Sequence, residues 1–219
     1  MGQSRLTRPD LDLGPQFKKV DLSTLSSHPP IVESPADPAH WEGLWLHEAE
    51  TQAFAEQLAQ GLGQWPGGRD ARIELRGNLG AGKTTLVRHL LRSAGVTGRI
   101  KSPTYAVVEP HEALNEQDGL RFPIWHFDFY RFNEPEEFEE AGFRDIFASQ
   151  GLKISEWAQQ AEGMLPLPDL KLKITVNESD CRQVEASAFT PQGLSILQAL
   201  QAAIPSHSPL TTGHAHSAP

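Results

Sequence analysis

Three features of this 219-residue sequence predict an α/β fold. The first is the octet Gly-Asn-Leu-Gly-Ala-Gly-Lys-Thr at 77–84, which fits G-x-x-x-x-G-K-[ST] without mismatch between a strand-like and a helix-like segment. The second is Ile124-Trp125-His126-Phe127-Asp128, an apolar-rich run that ends on a carboxylate. The third is the alternation of Leu170, Leu172, Ile174 and Val176, then a polar turn at 177–180, then Val184, Ala186 and Ala188, which reads as a β-hairpin. Together they predict a P-loop NTPase-like three-layer sandwich with a mixed, mostly parallel central sheet and a C-terminal β-hairpin.

Residues 1–40 hold Pro15, Pro29, Pro30, Pro35 and Pro38 without sustained periodicity and read as a disordered extension to a single P-loop domain at 41–204. Residues 44–46 are expected to form a short first strand. Phe54, Leu58 and Leu62, with Ala55 and Ala59, then mark an amphipathic helix closed by Gly61, Gly63, Pro66, Gly67 and Gly68. Residues 71–76 alternate apolar and charged side chains as a strand does, though a more polar one than a central parallel strand usually is. After the octet, Leu86, Val87, Leu90, Leu91 and Ala94 recur at helical spacing, and Gly95 supplies a stop.

Further along, residues 99–108 read as a strand interrupted by Pro103, and 111–121 as a polar insertion. Residues 124–132 read as the next strand, with Ile124, His126, Asp128 and Tyr130 on one face and Trp125, Phe127, Phe129 and Arg131 on the other. The acidic run 134–140 reads as a solvated helix face anchored by Phe138, Phe143 and Phe147, a partner surface being the sharper alternative. Residues 152–155 form a short strand ending at Glu156-Trp157, and 193–203 a last helix. The tail at 205–219 reads as disordered; His207, His214 and His216 lie in it without metal-ligand spacing.

Composition narrows the function classes. A formal charge of −9 argues against a broad basic surface for nucleic acid and makes a basic partner easier to accommodate. Cys181 is the only cysteine, which excludes an internal disulfide and favours a reducing cytoplasm. No stretch approaches the roughly 18 apolar residues of a membrane span, and no apolar signal-peptide centre stands at the N-terminus.

The octet predicts a nucleoside-triphosphate site. A loop wraps a dense anion only if successive N–H groups turn inward, which Gly77, Gly80 and Gly82 permit. Lys83 supplies a charge for the outer phosphates, Thr84 an oxygen for Mg²⁺, and the helix that starts there points its positive end at the anion; Thr85 caps or packs. Hydrolysis also needs a carboxylate near the metal and a group that orients water. Asp128 is the first candidate. The neighbouring glutamate of many ATPases is replaced by Phe129, so the base must come from elsewhere. Glu156 fits that vacancy at a strand end, with an ordinary helix-start carboxylate as the bland alternative. Trp157 reads as core or as a ring stacked on ligand. Ser102 and Thr104 lie between the loop's helix and Asp128, where GTPases carry nucleotide-sensing loops.

The order of these pieces resembles a known family. G-N-L-G-A-G-K-T-T at 77–85, K-S-P-T-Y at 101–105, H-F-D-F-Y-R at 126–131 and E-W at 156–157 are similar to TsaE (YjeE), the bacterial tRNA threonylcarbamoyladenosine biosynthesis ATPase, over residues 44–190. The resemblance implies a small α/β ATPase that is slow alone and acts with TsaB and TsaD in modifying the adenosine beside the anticodon, resetting the complex between turnovers. It implies ATP and Mg²⁺ as ligands. Gly77, Asn78, Leu79, Gly80, Ala81, Gly82, Lys83, Thr84, Thr85 and Trp157 are the nucleotide-binding residues so implied. Ser102 and Thr104 form the sensing loop, Asp128 and Glu156 are the catalytic carboxylates, and Thr84, Asp128 and Glu156 hold the metal. Ala158 departs from the proline that often follows E-W in this family. Two other classes share the loop: a small-molecule P-loop kinase, disfavoured by the acidic segment after Asp128, and a nucleotide-gated assembly module with incidental hydrolysis.

Overall fold

The computed structural model describes residues 39–64, 70–114, 119, 121–132 and 135–204. The expected extension up to residue 38 and the tail 205–219 lie outside the described residues. Seven strands form one sheet in the order β1-β7-β6-β2-β5-β4-β3. They are β1 (His40–Trp45), β2 (Arg72–Arg76), β3 (Val108–Leu114), β4 (Arg121–Asp128), β5 (Leu152–Glu156), β6 (Leu170–Val176) and β7 (Arg182–Ala188). The ladders β2–β5, β2–β6 and β4–β5 are parallel, whereas β1–β7, β6–β7 and β3–β4 are antiparallel. Hence β1, β2, β4, β5 and β6 run one way and β3 and β7 the other, the mixed, mostly parallel sheet expected.

The period of two along β4 divides the interior into two cores. Ile124, with Ile73, Leu75, Ile154, Leu172 and Ile174, faces α1 (Glu48–Gln64), α2 (Lys83–Ser93) and α5 (Pro191–Ala203), whose Phe54, Leu58, Leu86, Leu90, Ile196 and Leu200 are buried against it. Phe127 faces the other way, into an aromatic cluster with Phe129, Phe132, Phe138 and Phe143 beside α3 (Pro135–Glu140) and α4 (Phe143–Ala148). Helices on both faces make the three layers. The polarity of β2 has a local reason. Glu74 points to the second face, buried, with Arg76 at 3.4 Å and Lys171 at 4.0 Å.

Several boundaries differ from expectation. β1 starts at His40 rather than Leu44, because Trp41 and Trp45 pack on Phe54 at 5.2 and 5.1 Å. α1 runs through Gly61 and Gly63; Gly61 lets α1 approach α5, where an added Cβ would lie 3.4 Å from that of Ala199. Residues 99–107 are not a strand. Pro103 begins a turn closed by Val107 N–H donating to its carbonyl at 2.7 Å, and Val107 takes φ 64°. The strand lies instead at 108–114, running into the start of the 111–121 stretch expected to be an insertion: an edge strand whose side chains, apart from Ala113, are not fully buried. β4 ends at Asp128, after which the chain turns Phe129 and Phe132 into the aromatic cluster.

Candidate nucleotide site

The site forms where strand ends converge. Parallel registration pairs Asp128 of β4 with Glu156 of β5, and Glu156 with Leu75 of β2, so the phosphate-loop strand and both carboxylates end along one edge. Phe129 N–H donates to the Glu156 carbonyl at 3.0 Å and holds the two ends together. The loop leaves β2 through Gly77 (φ 147°), Gly80 (φ 78°) and Gly82 (φ 105°), conformations that side chains rarely adopt. Gly82 is the N-cap of α2 and offers no side-chain cap, so the first-turn N–H groups have no side-chain acceptor from the cap residue. Asn78, Leu79 and Gly80 are exposed on the loop's crest, Ala81 is buried beneath it, and Thr85 is half-buried in the first turn of α2.

Lys83 is buried, and its Nζ donates to the carbonyls of Gly77 at 2.8 Å and Asn78 at 2.9 Å. The same ammonium lies 3.9 Å from the centroid of the Trp157 ring. Burial pushes Lys83 below its ordinary value of 10.5, while the Glu156 and Asp128 carboxylates pull it back up. Trp157 holds φ 57° and leans on Tyr130, ring centroids 4.9 Å apart. Its backbone turn leads directly into the 3-10 helix Ala158–Ala161, which Ala158 begins.

Both carboxylates are nearly inaccessible, with relative exposure of 3 % for Asp128 and 2 % for Glu156, and each is satisfied by donors. Asp128 Oδ2 accepts from Ser102 and from Thr104, the latter at 2.8 Å, and Oδ1 accepts from Tyr130 N–H at 3.0 Å. Glu156 Oε2 accepts from Thr84 Oγ1 at 2.8 Å, and Oε1 lies 2.9 Å from His126 Nε2. The structure thus brings together Lys83, Thr84, Ser102, Thr104, Asp128, Glu156 and Trp157. Sequence reasoning did not find the His126–Glu156 bond or the Val107 carbonyl that accepts Asp128 N–H at 2.9 Å. The period-two face shared by His126 and Asp128 was the available signal for the former.

Among the described residues no group of three or more His, Cys, Asp or Glu forms a metal site. The hydroxyl of Thr84 with the carboxylates of Glu156 and Asp128 is instead a sparse, all-oxygen donor set, which suits Mg²⁺ sharing its coordination with phosphate and water.

Fold and site together define a P-loop NTPase-like α/β domain with a two-carboxylate edge. The family model described as "Threonylcarbamoyl adenosine biosynthesis protein TsaE" matches residues 46–184. The chain therefore belongs to the TsaE family. A Haemophilus influenzae protein named tRNA threonylcarbamoyladenosine biosynthesis protein TsaE is 39 % identical over 127 residues, 58 % of this chain and 76 % of the relative. The Bacillus subtilis protein of the same name is 33 % identical over 116 residues, 53 % of this chain and 68 % of the relative. The crystal structure of Bacillus subtilis YdiB superposes with a TM-score of 0.57 at 25 % identity, covering 75 % of this chain and 96 % of that one.

Proposed function

We propose that this protein is the ATP-binding and ATP-hydrolysing component of tRNA N6-threonylcarbamoyladenosine biosynthesis, working in the cytoplasm with TsaB and TsaD to sustain turnover. Family membership supports the tRNA-modification role. The observation that carries the ATPase reading is the convergence of Lys83, Thr84, Asp128 and Glu156 around one glycine-built loop. No helix among the described residues is long and apolar enough to cross a membrane.

In this reading the backbone N–H groups of Gly77–Thr85 cradle the phosphates, and Lys83 turns from the Gly77 and Asn78 carbonyls to the outer ones. Thr84, Asp128 and Glu156 are the residues that would hold Mg²⁺, which would supply neutralisation of the phosphate charge. Glu156 orients water. Asp128, whose oxygens accept from Ser102, Thr104 and the Tyr130 amide, would tie the sensing loop to the metal. Release of Lys83 by triphosphate frees the Trp157 face beside it.

The test is phosphate release from ATP and Mg²⁺ by the chain alone and with TsaB and TsaD. Slow release alone, accelerated by the two partners, is expected. Equal rates with and without them would remove partner dependence, and phosphorylation of an added small molecule would favour a kinase.

A further inference from the structure

His126 is a buried polar side chain beside the site that the mechanism above does not use. It stands on β4 on the same face as Ile124 and Asp128, wholly inaccessible. Volume alone does not call for histidine there, since Ile124 and Ile154 fill equivalent positions around it. Its Nε2 lies 2.9 Å from Glu156 Oε1, while Nδ1 is buried with no hydrogen-bond partner among the described residues. A buried ring nitrogen tolerates an unmet lone pair better than an unmet N–H. The arrangement therefore selects the tautomer with its proton on Nε2, and the bond runs from His126 to Glu156. The His111 ring of β3 lies beside it, centroids 6.4 Å and planes 29° apart.

We propose that His126 is the positioning residue of this site: its Nε2–H holds Oε1 of Glu156, so that Oε2 is presented to Thr84 and to the phosphate loop. The inference rests on the hydrolytic role given to Glu156 above. A carboxylate 2 % exposed has few donors to choose from. With His126 replaced by a hydrocarbon, Oε1 would face apolar side chains, and the group would rotate toward any remaining donor or solvent. Partners that orient a metal-facing group in this way are typically worth about ten- to a hundredfold in activity.

The test is a double-mutant cycle on the full chain with TsaB and TsaD, reading single-turnover ATP hydrolysis, ATP affinity and thermal melting. His126→Leu is expected to slow hydrolysis by about ten- to a hundredfold with ATP affinity within a few-fold of the parent. His126→Gln, whose terminal amide reaches the Nε2 position, should recover most of the rate, whereas His126→Asn, too short to reach Glu156, should not. In a Glu156→Gln background, His126→Leu should cost little more. The proposal is overturned by equal rates for the Gln and Asn variants, by a His126→Leu loss that multiplies fully onto Glu156→Gln, or by a parental rate for His126→Leu. If His126→Leu melts too low to assay, the Gln and Asn comparison decides alone. A parental rate for Glu156→Gln itself would instead remove the hydrolytic reading of Glu156, and with it this inference, so the two failures are told apart.

Discussion

At the scale of single residues, the site is a set of buried charges kept compatible by short-range partners. Lys83 is held by two loop carbonyls and an aromatic face, all of which a triphosphate must replace. Lys83→Ala should therefore abolish ATP binding or weaken it at least about a hundredfold, since the outer phosphates lose a charge-assisted donor in a desolvated site; nucleotide titration checks this, and parental affinity would refute the phosphate-loop assignment. Burial also sets a pH signature. Because Lys83 sits below 10.5 in the free protein and only the ammonium binds phosphate, affinity should fall as pH rises toward 10.5, starting lower than for an unperturbed lysine. Folding responds in the opposite sense. Between the lowered value and 10.5 the unfolded chain binds the extra proton, so this residue's contribution to stability rises with pH across that window. Glu156→Gln keeps size and can still accept from Thr84, but removes the charge. We expect ATP binding to persist and hydrolysis to fall on the order of a hundredfold; a parental rate in single-turnover assays would hand the role to Asp128 or to a partner's residue.

At the scale of elements, the loop's shape depends on what it crosses. Gly77 lies against β6 at φ 147°, and a Cβ there would sit 2.3 Å from the Ile174 carbonyl oxygen, a backbone atom that cannot swing aside. Gly77→Ala should cost about 1–3 kcal/mol, which for a chain of this size is roughly 2–12 °C of melting temperature, and should loosen ATP binding as well. Unchanged melting and binding would mean that the loop follows another path. The octet, the helix after it and the β6–β7 hairpin were legible because their signals are local: glycine placement, helical spacing and strict alternation. What escaped is set by tertiary context. β3 pairs along β4 but buries only Ala113 fully, so no alternation announces it, and the 99–107 segment is shaped by Pro103 and the positive φ of Val107 rather than by a ladder. Asp128 and Glu156 each stood out at the end of an apolar run. Their convergence was legible as well, since parallel strands end along one edge, but their direct pairing and the bond of His126 to Glu156 follow from the β4–β5 register, which no one-dimensional pattern encodes.

At the scale of the whole molecule, the two ends of the described chain close on each other. β1 pairs with β7, Trp41 Nε1 donates to the Ile204 carbonyl at 2.9 Å, and Gln201 Nε2 donates to the His40 carbonyl at 3.0 Å. Thr190 caps α5 by accepting from Gly193 N–H at 3.0 Å and donates to the buried Asp169 at 2.6 Å, which fastens that helix to the start of β6. These contacts make 39–204 the smallest piece with all its described partners. The stretch that matches the family model, 46–184, lacks β1, the end of β7 and α5, and so loses Trp41, Trp45, Ile196, Leu197 and Leu200 from the core around Phe54 and Leu58. Removing even one buried large apolar side chain costs about 2–5 kcal/mol, against a total stability of about 5–15 kcal/mol for an ordinary domain. A chain trimmed to 39–204 should therefore melt cooperatively near the parent and bind ATP with parental affinity, whereas a 46–184 chain should show no cooperative transition although it keeps Lys83, Asp128 and Glu156. Calorimetry and nucleotide titration on the two pieces separate the cases: cooperative melting of 46–184 would show that β1 and α5 are dispensable, and loss of binding by 39–204 would assign part of the site or its support to the residues removed.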